Sequence, residues 1–320
     1  MAIMSGQADA VLVGGAETMS DVPIRFSKPM RQKLIAASKY KKPADFLKFF
    51  KGFNLGMLAP EAPAIAEFSS GEVMGHSSDR LAARFGVTRE DQDKYAVRSH
   101  SLAAKAHEDG MLVDEIFPMD GHRVDNGIRG DSTYEKLSTL RPAFVRPHGT
   151  HTAANSSYLT DGASAAFLAG EDTAKERGYT PRAYIKDWAF VSQDPKEELL
   201  LGPAYATTRL MAKHGLKKED IDVYEIHEAF AGQVLANLTA IASDKFATEQ
   251  AGVSAAIGEL PMDRINLWGG SLSIGHPFGA TGTRIITTAV NRLHKEDGNL
   301  ALLTACAAGG QGVAMLIERA

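Results

Sequence analysis

The sequence predicts an α/β layered protein, and three observations carry that prediction. Short apolar, strand-like runs at 183–191, 221–226, 300–306 and 312–317 alternate with helical stretches at 228–241 and 281–293. Three of the strand ends carry chemically capable residues: His227-Glu228, the glycine-rich 269–282 segment with His276, and Cys306 with its Gly-rich turn. The 320 residues are 44% apolar and 23% charged, which is ordinary globular usage and excludes global disorder. Sites in such sheets lie beyond the carboxyl ends of strands, so the convergence of these residues there is informative.

The elements follow in order along the chain. Residues 8–13 (Ala-Asp-Ala-Val-Leu-Val), ahead of Gly14-Gly15, predict a buried strand entering a tight turn. A helical stretch is expected over 76–110, where Leu81, Ala82, Phe85, Tyr95, Ala96, Leu102 and Ala103 recur at helical spacing. Thr88 to Asp91 has the form of a capping box. Residues 111–150, rich in Gly, Pro, Asp and His, predict loop. Beyond residue 180 the strand–helix alternation implies a largely parallel sheet. In the helix at 228–241, Phe230, Val234, Leu235, Leu238 and Ile241 make one apolar stripe. A short strand is expected at 265–268, running into Gly269-Gly270.

Charge is uneven. Net charge is −4, so no global basic field points to nucleic acid. Residues 28–53, however, hold eight cations (Lys28, Arg31, Lys33, Lys39, Lys41, Lys42, Lys48, Lys51) against Asp45 alone. Leu34, Ile35, Phe46, Leu47, Phe49, Phe50 and Phe53 are interleaved with them. Two readings stand: a membrane-surface or partner-binding helix pair, or a solvated excursion whose aromatic face packs on its own domain. No apolar run reaches the roughly 18 residues of a membrane span, and the N-terminus lacks a secretory pattern. A soluble protein of the cytosol or an organelle matrix, not a secreted one, is expected.

Several chemistries fall away on spacing. His227-Glu228-Ala229-Phe230-Ala231 starts like the zinc motif H-E-x-x-H but ends on Ala231, so the second ligand is missing. His148 and His151 have metal spacing only within a helix, and Gly149 in a loop context argues against one. Gly282 is followed by Thr283-Arg284, which excludes a P-loop. The 270–275 segment misses the G-x-S-x-G frame of a nucleophile elbow. Cys306 is the single cysteine, so neither a disulfide framework nor a Cys-rich zinc site is available. Alone, Cys306 reads as a small buried hydrophobe and His276 as unremarkable; together on successive strand ends they read as a site.

These residues resemble the thiolase family. The blocks run in order: Gly-Gly-Ala-Glu-Thr-Met-Ser at 14–20, Asn-Ser-Ser-x-x-x-Asp-Gly-Ala at 155–163 and His-Glu-Ala-Phe-Ala at 227–231. Asn-Leu-Trp-Gly-Gly-Ser-Leu-Ser-Ile-Gly-His-Pro-Phe-Gly-Ala-Thr-Gly follows at 266–282, then Cys-Ala-Ala-Gly-Gly-Gln-Gly at 306–312. The resemblance covers essentially the whole chain and is nearest to long-chain 3-ketoacyl-CoA thiolases, the β-subunits of fatty-acid oxidation complexes.

The resemblance implies a layered α-β-α-β-α fold. Residues 1–20 and 151–183 would be a remnant of an incomplete N-terminal half, 21–150 an inserted loop domain, and 184–320 the C-terminal half. It implies thiolytic cleavage of a 3-ketoacyl-CoA by CoA, with no metal and no cofactor beyond these substrates. His276 would activate a nucleophilic thiol and help bind a thioester oxyanion, and His227 would serve the same oxyanion hole. Cys306 would move a proton at the acetyl α-carbon. The turn at Ala308 would face a second oxyanion. Ser157, Phe230, Met74 and Phe144 would line the pantetheine tunnel. The family's acyl-accepting cysteine would lie upstream of residue 1, so the 320 residues are expected to lack an amino-terminal portion and to be inactive alone. A non-catalytic acyl-CoA-binding or interaction protein of the same fold is the alternative. Expected partners are CoA thioesters, a second copy in a homodimer, a hydratase/dehydrogenase α-subunit and a peripheral membrane contact through 28–53.

Overall fold

The computed structural model describes residues 1–63, 65–119 and 121–320. The chain divides into two compact units, Thr18–Ile65 and the remainder, Met1–Glu17 with Ala66–Ala320.

In the larger unit, β1 (Ala10–Glu17) pairs antiparallel with β2 (Gly162–Ala169), Ala10 opposite Ala169 and Glu17 opposite Gly162. The main sheet holds β3 (Ala183–Ser192), β4 (Val223–Ile226), β5 (Leu300–Ala307) and β6 (Gln311–Arg319), in the order β3-β6-β5-β4. The helices that shape this unit are α1 (Met74–Arg84), α2 (Arg89–Glu108), α3 (Gly202–His214), α4 (Ala231–Ile241) and α5 (Phe278–Lys295). Helix α3 packs on β3, β5 and β6, whereas α5 lies between the main sheet and the β1–β2 pair. The succession is therefore α3, sheet, α5, sheet.

Alternation along β5 explains why its sequence is apolar throughout. Ala301 and Leu303 face Ile285, Ala289 and Leu293 of α5, while Leu302 joins the cluster of Leu210 and Met211 on α3. A strand covered on both faces has no polar face to show. Close backbone approach holds the layers together at Gly15, where a Cβ would come within 1.9 Å of the Gly279 carbonyl oxygen.

The structure corrects several expectations. The main sheet is mixed: only β4–β5 is parallel, while β3–β6 and β5–β6 are antiparallel. The turn at 308–310 is too short for a crossover, so β5 and β6 can only form a hairpin. The expected helix over 76–110 is two helices, because Gly86 adopts φ +67° and Thr88 caps α2 afresh. That cap is the predicted box: Asp91 N–H donates to Thr88 Oγ1 and Thr88 N–H to Asp91 Oδ2, both at 3.1 Å. Helix α4 starts at Ala231 rather than 228, since Phe230 is extended and bridges to Ser156. Residues 265–268 form no strand beyond one parallel bridge, Ile265 to Tyr224. The first strand is not buried: Leu12 and Phe167 point outward from the β1–β2 pair, 73% and 55% exposed, because α5 covers its other face only.

In the unit Thr18–Ile65, the basic segment forms a helix at Lys28–Ala37, a 3-10 turn at Pro43–Phe46 and a short helix at Leu47–Phe50. Ser27 caps the first helix. Phe49, Phe50 and Phe53 cluster with ring centroids 5.6–6.4 Å apart, Phe50 edge to face on each of the other two. The Lys33 ammonium bonds the Phe49 and Lys51 carbonyls beside them. Ile35, Phe46, Leu47 and Phe50 are exposed. The aromatic residues are thus only partly an internal core.

Candidate active site

The carboxyl ends of β4 and β5 lie side by side and deliver two of the expected residues. In their parallel register Ile226 is opposite Thr304, and His227 N–H donates to the Thr304 carbonyl at 2.9 Å. Cys306 follows two residues later on β5, opposite Gly312 of β6. The third residue arrives on the loop ahead of α5: the His276 ring lies 4.0 Å from that of His227, centroid to centroid, at 44°. Phe278 covers the other side of His276 at 4.8 Å.

The loop bearing His276 is shaped from both sides. Gly275 has φ +106° and sits against Thr160, leaving no room for a side chain. The His276 N–H donates to Thr160 Oγ1 at 3.0 Å, and the Tyr158 hydroxyl donates to the Ser273 carbonyl at 3.2 Å. His276 Nδ1 lies 2.7 Å from Thr281 Oγ1, and that hydroxyl gives its one proton to the Pro277 carbonyl at 2.9 Å. Thr281 therefore accepts from His276, which assigns the proton to Nδ1 and leaves a lone pair on Nε2. Such a ring is a base. Burial, and then the nearby Arg284 guanidinium, lower the His276 pKa to about 4, so the lone pair is available at neutral pH.

His227 is buried at 2% exposure, and its Nδ1 lies 3.0 Å from Ser271 Oγ. Burial, then His276 and Arg284, hold it well below the ordinary imidazole range. Glu228 beside it is fully buried, accepting from the Tyr95 and Ser99 hydroxyls (3.0 and 2.8 Å), Asn266 Nδ2 (2.7 Å) and Leu272 N–H (3.2 Å). These bonds pin the end of β4 to α2 and to the 266–273 loop. Cys306 is half-buried, and burial pushes its thiol up to about 12. It rests as a thiol, an acid rather than a resting thiolate.

The remaining expected residues fall into two groups. Ser157 N–H donates to the Ala229 carbonyl at 2.9 Å, tying it to the His-Glu-Ala-Phe segment. Phe230 meets Phe144 edge to face at 5.8 Å. The Phe144 ring lies over Gly75, next to Met74 at the start of α1. Met74 and Phe144 both pack, partly buried, on the core cluster that holds Phe230. Ala308 is exposed at the tip of the β5–β6 turn. There Gly309 N–H is already engaged, donating to Glu67 Oε2 at 2.7 Å. The pair His148 and His151 does not act together: His151 is fully buried between Asp79 (2.9 Å) and Ser78 (2.9 Å), while His148 is exposed.

Sequence reading missed Thr160, Ser271, Thr281 and Arg284. Thr281 and Ser271 stand inside the quoted glycine-rich block, but a hydroxyl's partner is a tertiary fact. Arg284, one turn along α5, reaches Ser271 Oγ at 3.1 Å and carries no local signal at all.

Comparison with known proteins converges on one family. Residues 1–172 match the family description "Thiolase, N-terminal domain" and residues 179–319 match "Thiolase, C-terminal domain". The chain is 54% identical over 320 residues to the bovine protein named trifunctional enzyme subunit beta, mitochondrial, covering 99% of this chain and 67% of that protein. It is 54% identical to a probable 3-ketoacyl-CoA thiolase of Caenorhabditis elegans (99% and 72% covered). It is 45% identical to the 3-ketoacyl-CoA thiolase of Yersinia enterocolitica (99% and 74% covered). Among solved structures, human mitochondrial 3-ketoacyl-CoA thiolase in complex with CoA superposes with a TM-score of 0.81 at 29% identity, over 100% of this chain and 73% of that one. With both halves of the family matched in order and the histidine pair and the cysteine on the strand ends described, the chain belongs to the thiolase family.

Proposed function

We propose that the chain is an acetyl-CoA C-acyltransferase of fatty-acid oxidation, acting on 3-ketoacyl-CoA thioesters, and that His276, His227 and Cys306 carry its chemistry. Thiolysis divides a carbon–carbon cleavage into two steps. A thiol, deprotonated by His276 Nε2, attacks the 3-keto carbon. The C2–C3 bond then breaks, leaving an acyl thioester on that thiol, and the acetyl-CoA enolate takes a proton from Cys306. CoA next attacks the acyl thioester, passing its own thiol proton to the Cys306 thiolate. His227 and His276 stabilise the thioester enolate oxygen, and the Ala308 turn serves the tetrahedral oxyanion of acyl transfer, with the carboxylate of Glu67 moving off Gly309. Ser157, Met74, Phe144 and Phe230 line the pantetheine path.

The observation that carries this reading is the place of Cys306 on β5, two residues beyond Thr304, which pairs with the end of β4 that presents His227, where burial keeps its thiol protonated. A thiol in that state suits an acid that protonates an enolate and not the acyl acceptor. Cys306 is the only cysteine of the 320 residues, so these residues hold the proton-transfer half of the reaction and CoA-ester binding, while complete thiolysis needs a second thiol. The test is deuterium exchange into the acetyl methyl of acetyl-CoA. The small thiolate fraction of Cys306, formed as its thiol gives a proton to solvent, removes a C2 proton; the thiol exchanges with D2O, and deuterium returns to carbon. Exchange above the buffer rate, lost in Cys306→Ser, is expected, with no thiolysis by the 320 residues alone. Thiolysis that Cys306→Ser abolishes would make Cys306 the acyl acceptor and overturn the assignment.

Partners follow from the same reading. The β-subunit names of several relatives support assembly with a second subunit type, for which the resemblance implies a hydratase/dehydrogenase α-subunit, alongside a homodimer. The exposed Ile35, Phe46, Leu47 and Phe50 among the cations of 28–53 support a peripheral contact with anionic lipid. The mitochondrial and bacterial relatives support an organelle matrix or bacterial cytoplasm as the location.

A further inference from the structure

We propose that Arg284 is a positioning residue for the oxyanion site, acting through Ser271 to hold His227 in the tautomer that carries its proton on Nε2. Ser271 is fully buried and its hydroxyl oxygen has two neighbours, Arg284 Nη2 at 3.1 Å and His227 Nδ1 at 3.0 Å. A guanidinium only donates, so Arg284 occupies an oxygen lone pair of Ser271. The single hydroxyl proton then has His227 Nδ1 as its acceptor among the described residues. If His227 instead donated from Nδ1, the buried serine proton would be orphaned, a state folded proteins avoid. The chain Arg284 to Ser271 to His227 thus runs in one direction, and Nε2 becomes the donor.

The neighbouring ring is set the opposite way. His276 holds its proton on Nδ1 through Thr281, so two imidazoles in contact present different faces, a lone pair from His276 and an N–H from His227. The remaining guanidinium atoms fit a positioning role. Arg284 Nε and Nη1 are buried with no hydrogen-bond partner among the described residues. Glu115, itself bonded to Thr288 and Asn291, and Asp125 lie within electrostatic reach of the guanidinium, though burial raises the pKa of both. Arg284 spends its one direct bond on Ser271.

The proposal rests on the reading of His227 as an oxyanion donor, and its test separates the two. Two-bond 15N–1H correlation spectra of the protein labelled with 15N-histidine report each tautomer without substrate, with His227→Gln identifying the His227 resonances. The expected spectrum shows protonated Nε2 and bare Nδ1 for His227, and the reverse for His276. Arg284→Met and Ser271→Ala should each convert His227 to a tautomer mixture while His276 stays unchanged, and Arg284→Lys, which keeps a donor, should restore the original pattern. An unchanged His276 pattern certifies that the variant is folded. A wild-type His227 protonated on Nδ1, or an Arg284→Met spectrum identical to wild type, overturns the proposal. Deuterium exchange into acetyl-CoA should fall at least tenfold in Arg284→Met. A shifted tautomer without that loss keeps the positioning role and removes His227 from the chemistry.

Discussion

The rings of His227 and His276 lie 4.0 Å apart, centroid to centroid, and tilted by 44°, each anchored at Nδ1 by a hydroxyl from a different part of the chain, Ser271 for one and Thr281 for the other. Two imidazoles this close, with Arg284 beside them, cannot both charge at modest electrostatic cost. The pair is therefore neutral at physiological pH and vulnerable to acid.

Stability should fall as pH drops through the histidine range. The folded pKa of His276 is about 4 against an ordinary 6.5, so the unfolded chain binds more protons and stability rises with pH between those values. It is fully present above 6.5 and lost by about 4. At about 1.4 kcal/mol per unit the contribution is at most roughly 3.5 kcal/mol. Urea midpoints at pH 7.5, 5.5 and 4.5 measure it, and His276→Asn should flatten the profile.

Cys306 should resist alkylation. With its pKa near 12, the thiolate fraction at pH 7.5 is smaller than that of a free cysteine by about three orders of magnitude. Iodoacetamide labelling followed by intact mass should be slow and should accelerate about tenfold per pH unit up to pH 10. Labelling at the rate of free cysteine would contradict the thiol assignment.

The buried ion pair behind the sheet predicts an asymmetric response. Arg292 is fully buried and donates to Glu225 at 2.8 Å, beneath the strand that ends in His227. Removing the cation in Arg292→Met strands a carboxylate and should cost about 3–5 kcal/mol in chemical denaturation. Glu225→Gln keeps a hydrogen-bond acceptor and should cost less than half of that.

Two glycines near the start of α5 should respond oppositely to alanine. Gly15→Ala drives a Cβ to within 1.9 Å of the Gly279 carbonyl and should destabilise by about 3 kcal/mol or prevent folding. Gly282→Ala, in the helix with nothing within 4 Å of a Cβ, should stabilise by about 0.5–1 kcal/mol. Thermal melts of the two variants side by side decide the point.

Changing Lys39, Lys41, Lys42 and Lys48 together to Glu should abolish co-sedimentation with anionic vesicles at low salt. Each cation near such a surface is worth about 1 kcal/mol, screened over about 8 Å at physiological salt. Binding that is unaltered by the four changes and by salt would make the segment structural.

What was legible in the sequence is what local patterning encodes. The four strands of the main sheet, the Thr88 cap and the motif residues His227, His276 and Cys306 were readable because apolar runs, caps and glycine clusters are contiguous. Strand direction was not. The Gly-rich turn after Cys306 has an equally direct meaning, a hairpin, which reverses β6 and makes the sheet mixed. The Gly86 break was masked by an apolar spacing that continues on both sides of it. Least legible were Ser271, Thr281 and Arg284, whose importance lies in which atom each one meets across the fold.

The grip on His276 has a wider meaning. Its backbone is held by Thr160, within the segment matched to the N-terminal thiolase half, and its ring by Thr281, within the C-terminal half. The base is thus a shared possession of two halves, and neither one alone would present it correctly. A break placed between residues 172 and 179 would yield two fragments whose reunion could be followed at a single imidazole, and divergence in either half is constrained by a threonine in the other.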